Sequence, residues 1–82
     1  MRQLLLDPYV FLEVLISAGC RLGPSNSSVQ SVHNPDHPLL RAMVRLSEPL
    51  DGEMIESPLD NLRISEEVFL ERLDRLNPRH RN

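Results

Sequence analysis

The sequence predicts a small, mainly α domain of three helices, with a long loop between the first and the second. Three observations lead there. The apolar content is mostly aliphatic, with fifteen Leu against three aromatics, Tyr9, Phe11 and Phe69, and Leu loses little rotamer freedom in a helix. Two segments carry start and stop residues around an apolar face, one near residues 8–22 and one near 66–76. A third, 39–47, is built from Leu, Arg, Ala and Met, all strong helix formers. The alternative is an α+β arrangement with a short β-hairpin between two helices.

The first helix is the plainest. Asp7 reads as its N-cap, and Pro8 takes the first helical position, where a missing N–H costs nothing. From 9 to 22 only Glu13, Ser17 and Arg21 are clearly polar. Spaced by four, they form one wet stripe along an otherwise apolar cylinder. Gly19 weakens the last turn, and Gly23 with Pro24 ends it. Ser17-Ala18-Gly19-Cys20 resembles a bacterial lipoprotein cleavage site, with Cys20 as the lipidated residue. Asp7, Pro8 and Glu13, however, interrupt the apolar run such a leader needs.

Residues 23–38 read as a connection rich in Gly, Pro, Ser and Asn. Sixteen residues is long for a structureless loop. It is therefore either a functional loop or the carrier of a short strand at 28–33. The next segment, 39–47, fits two periods. As a helix it sets Arg41, Arg45 and Glu48 opposite Leu39, Leu40, Met43 and Leu46. As a strand it alternates Leu40, Ala42, Val44 and Leu46 against Arg41, Met43, Arg45 and Ser47. Helix is preferred, capped by Asp36 and stopped by Pro49. The strand reading draws on Asp51-Gly52, a hairpin-turn dipeptide leading into 53–56.

Ser57-Pro58 opens a single helical turn that carries Leu59 and Leu62 inward. The last helix starts at the cap Ser65, with Glu66 and Glu67 at its positive end and Ile64 stapled to Phe69. Phe69, Leu70, Leu73 and Leu76 make its apolar face, and Glu71 with Arg75 an i,i+4 pair. Asn77 and Pro78 stop it. One domain over 1–78 is expected, followed by a basic flexible tail at 79–82.

Composition narrows function by exclusion. A formal net charge of −3 gives no general attraction to nucleic acid or anionic membrane. No stretch reaches the length of a membrane span. A lone Cys20 excludes a disulfide framework and suggests a reducing, cytoplasmic setting. His33, Asp36 and His37 form the only cluster of ligand-type side chains, and turn and capping roles account for them, so no metal or other cofactor is expected. With three glycines and no nucleophile elbow, an enzyme is not expected either.

What remains is the surplus of apolar surface on the first helix, wider than a small domain's surface helix normally buries: either the 39–47 segment, the Leu59/Leu62 turn and the last helix wrap it, or part of it stays exposed as an interaction patch. The expectation is a cytoplasmic protein-binding regulator, inhibitor or adaptor whose partner is another protein, either a second copy in a homodimer or a heterologous chain. Its contact residues would be Tyr9, Phe11, Leu12 and Leu15, rimmed by Arg41 and Arg45. The competing expectation is a small DNA-binding regulator that uses the Arg41/Arg45 face.

Overall fold

The computed structural model describes residues 4–76 and overturns the mainly-α expectation: it has three helices, but the expected loop at 23–38 and the expected helix at 39–47 are largely strands, and the second helix is a later segment. Six elements run α1 (Pro8–Ser17), β1 (Arg21–Ser25), β2 (Val29–Asn34), β3 (His37–Arg45), α2 (Gly52–Asn61) and α3 (Glu66–Leu76). The fold is α+β, with an antiparallel sheet in the order β1-β2-β3. The α+β alternative therefore has the class right, but two successive hairpins, not one, separate α1 from α2. Asp51-Gly52 forms no hairpin turn: the Asp51 carboxylate accepts the Met54 N–H at 3.0 Å and caps α2.

Side-chain acceptors in the turns decide where the strands begin and end. Asn26 Oδ1 accepts the N–H groups of Ser28 and Val29, at 2.8 and 2.9 Å, and reverses the chain between β1 and β2. Asn34 Oδ1 accepts the Asp36 N–H at 3.0 Å and does the same between β2 and β3. The Asn34 amide meanwhile donates to Leu62 O at 2.8 Å, tying this hairpin to the end of α2. Asp36 thus sits in a turn and caps no helix.

The first helix stops earlier than its composition suggests. Gly19 adopts φ +100°, Cys20 N–H donates to Leu15 O, and Gly19 N–H donates to Ile16 O, each at 3.0 Å. This is a Schellman ending, with glycine just past the cap and an apolar residue next. Arg21 therefore opens β1 and does not extend the helical stripe. The end of α2 repeats the geometry with Arg63 at φ 60°, and Ile64 N–H donates to Leu59 O at 2.9 Å. Pro58 lies inside α2, so the expected single turn is part of a ten-residue helix. Lacking an N–H, Pro58 leaves the Met54 carbonyl without its usual intrahelical donor.

Asp7 caps α1 through the Tyr9 N–H at 2.8 Å, and Ser65 Oγ accepts the Val68 N–H at 3.2 Å in α3, both as the sequence predicts. The Arg75–Glu71 pair is present at 3.1 Å. Asn77, Pro78 and the tail at 79–82 lie outside the described residues.

α1 packs beside β1 and α2 beside β3, and α3 packs on both of these helices. Phe11, Leu15, Ile55, Leu62 and Phe69 share one core with Val32, Ala42 and Val44, and every one of these side chains is buried. Leu6 and Leu50 close the base of the core by exchanging backbone hydrogen bonds of 2.9 and 2.8 Å. Among the described residues no helix is long and apolar enough to cross a membrane.

Candidate functional site

The sheet has two faces of opposite character, and strand alternation assigns every side chain to one of them. Residues directly opposite in an antiparallel pair share a face. Val32 stands opposite both Leu22 and Ala42, and Gln30 opposite Val44, which fixes the covered face. The other face carries the row Arg21–His33–Arg41 across all three strands, with Met43 opposite Ser31 and Arg45 opposite Val29. Arg21, Arg41, Met43 and Arg45 are exposed there. Gly23 lies on the same face, because a Cβ built on it would stand 3.3 Å from Ser31 Oγ.

Three arginines from the two edge strands therefore converge on one uncovered sheet surface. Arg45 is drawn to Glu48 at 3.6 Å, with both side chains more than half exposed, so water screens the pair and the guanidinium keeps most of its reach. The predicted arginine pair survives with altered geometry. Arg41 and Arg45 share a face as strand residues two pleats apart, with Met43 between them; on a helix Met43 would have lain opposite. Arg21 and His33 belong to the surface as well, and sequence reasoning missed them. The signal was present in the segment 28–33 once it was read as a strand, since that brings His33 level with Arg41.

The helix-1 residues are divided. Phe11, Leu12 and Leu15 are buried in the chain's own core, at 0, 6 and 0% exposure, and are not available to a partner. Tyr9 and Ile16 remain exposed on α1, at 59 and 48%. The apolar surplus is largely consumed inside the domain: α1 packs on α3, and Phe11 meets Phe69 edge-on with ring centroids 5.6 Å apart.

Concavities flank α2, among them one of about 260 Å³ beside Leu40, Asp60, Asn61 and Arg63. Another, of about 660 Å³, is acidic, with Glu53, Glu56, Asp60 and Glu66 on its walls. A further one, of about 190 Å³, lies between α2 and β3 and is lined by Ala42, Met43, Arg45, Leu50, Met54 and Pro58 among others. Among the described residues no group of three or more His, Cys, Asp or Glu side chains is gathered to hold a metal ion. His33 and His37 fall on β2 and at the start of β3, with Asp36 in the turn between them. Cys20 is buried, and burial pushes its thiol above the ordinary value, which disfavours the reactive thiolate.

No protein family, no curated protein and no solved structure matches the chain.

Proposed function

We propose that the chain is a protein-binding module of the regulator, inhibitor or adaptor kind, which docks an acidic partner on the open face of its sheet. One observation carries this reading: Arg21, Arg41 and Arg45 share a sheet face that no helix among the described residues covers, in a chain whose net charge is −3. Concentrating basic side chains on one face of an acidic protein gives local attraction and orientation for an acidic surface. Exposed Met43 among them adds an adaptable apolar contact. A reducing cytoplasm suits the free thiol of Cys20.

An acidic protein suits this face better than nucleic acid does. Sheet surfaces that bind single strands stack bases on aromatic side chains. Here Tyr9, Phe11 and Phe69 all lie on α1 and α3.

The test is capture from a nuclease-treated extract of the source cell, with the wild-type chain compared with an Arg41→Glu/Arg45→Glu variant. The expected result is one or more acidic proteins retained by the wild type and lost by the variant. Identical capture by both, or retention of nucleic acid alone before nuclease treatment, contradicts the proposal.

A further inference from the structure

The two edges of the sheet differ in how they are protected. In β1, Pro24 removes a backbone donor and the register shifts between Leu22 and Ser25, so that edge cannot accept a regular new strand. β3 is nine residues long, with Pro38 near its start and no register shift from Arg41 to Arg45. Leu46 N–H donates to Ser28 O at 2.8 Å. By alternation, Val44 and Ala42 also turn their backbone groups toward β2. Arg45, Met43 and Arg41 turn theirs outward.

We propose that β3 is a strand-addition site whose occupant is an extended acidic segment of the partner, with the pattern acidic–apolar–any–apolar–acidic. This rests on the function proposed above and supplies its binding mode. The added strand pairs its backbone with the outward N–H and C=O groups of Arg41, Met43 and Arg45. Its side chains alternate between the two faces of the extended sheet. Those on the open face stand level with Arg41 and Arg45, four residues apart, where carboxylates are preferred. Those on the other face enter the groove between β3 and α2, where Ala42, Leu50, Met54 and Pro58 offer apolar contact beside the polar Ser57 and Asn61.

A second copy is the poorer occupant on charge. In every two-fold antiparallel register centred between residues 40 and 45, an arginine stands directly opposite or diagonal to an arginine of the second copy. A carboxylate-bearing strand converts the same positions from repulsion to attraction.

The probe is a fluorescent synthetic peptide with the core Glu-Val-Thr-Val-Glu, titrated with the full chain and followed by anisotropy. Its partner peptide carries Lys in place of both Glu. Met43→Pro removes one outward N–H and leaves the pairing to β2 intact, and it should weaken the Glu peptide by about tenfold or more. Arg41→Glu/Arg45→Glu should invert the preference, toward the Lys peptide. In case Met43→Pro unfolds the chain, N-methylation of the peptide asks the same question of the wild type. Methyl groups along one edge of the peptide should abolish binding, and along the other edge leave it unchanged.

No binding of the Glu peptide at millimolar concentration overturns the inference. So does equal binding of both N-methylated forms; if the arginine variant still discriminates, strand addition fails while the basic-face function stands. A wild-type dimer dissociated by Met43→Pro would give the edge to a second copy and overturn the proposal as well. Failure of the peptide together with unchanged capture by the arginine variant removes both readings.

Discussion

Phe11 and Phe69 meet edge to face, with centroids 5.6 Å apart and planes inclined at 65°, and both side chains are fully buried. The contact joins α1 to α3 across fifty-odd residues of intervening sheet and helix. Phe11→Ala should therefore destabilise the chain by about 3–5 kcal/mol, a large share of what a domain this size possesses. A double-mutant cycle with Phe69→Leu should show coupling of about 0.5–1.5 kcal/mol in urea denaturation. Tyr9→Ala, at an exposed position two residues away, should shift stability by no more than about 0.5 kcal/mol. Equal losses at Tyr9 and Phe11 would contradict the placement of α1.

The two helix ends make an opposed pair of predictions. Gly19→Ala forces a side chain into φ +100°, and although nothing lies within 4 Å of the new Cβ, backbone strain alone should cost about 1–2 kcal/mol. Arg63 holds φ 60° in the equivalent position after α2. Arg63→Gly relieves that strain and should stabilise by about 0.5–1 kcal/mol. Thermal unfolding of the two variants beside the wild type reads both signs at once.

Gly19, Asn26 and Asn34, which set the chain reversals, mark the limit of what is legible in the sequence. Caps at Asp7 and Ser65 and the Glu71–Arg75 pair were readable, because each depends on residues within one helical turn. The sheet was not, because β2 is the segment 29–34, Val-Gln-Ser-Val-His-Asn, with little alternation of its own. Its strand character comes from neighbours on both sides and from Asn26 and Asn34, whose side chains hold the two turns. Once β2 forms, 39–47 has a partner, and the period-two reading prevails over the helix propensity of Leu, Arg, Ala and Met. The arginine face is half legible: Arg41 and Arg45 stand out, whereas the period-four spacing of Glu13, Ser17 and Arg21 places Arg21 on a helix that Gly19 ends. Likewise, the apolar excess of α1 is compatible both with a helix wrapped by its own domain and with an exposed docking face, and periodicity does not choose between them; α3 and the sheet cover Phe11, Leu12 and Leu15.

Cys20 gives a prediction with a pH direction. Its thiol is buried and pushed above the ordinary value by desolvation, so the folded chain keeps a proton that the unfolded chain releases. This contribution to stability is fully present below the unfolded thiol's pKa and is lost as pH rises through the folded one. Native protein should react slowly with a thiol reagent at mildly alkaline pH, and at the free-thiol rate once urea unfolds it. In Cys20→Ser the part of the alkaline decline in stability due to the thiol should vanish. Rapid native labelling would contradict the burial.

The most direct measurement is amide hydrogen exchange along β3, in the free chain and with the Glu-Val-Thr-Val-Glu peptide present. In the free chain Ala42 and Val44, bonded to β2, should exchange slowly, and Arg41, Met43 and Arg45 fast. On adding peptide the three outward amides should slow by about tenfold or more, as new cross-strand bonds form. Protection of Arg41, Met43 and Arg45 already in the free chain, or peptide binding that leaves their exchange untouched, would contradict the claim that this edge and its arginine face receive the partner.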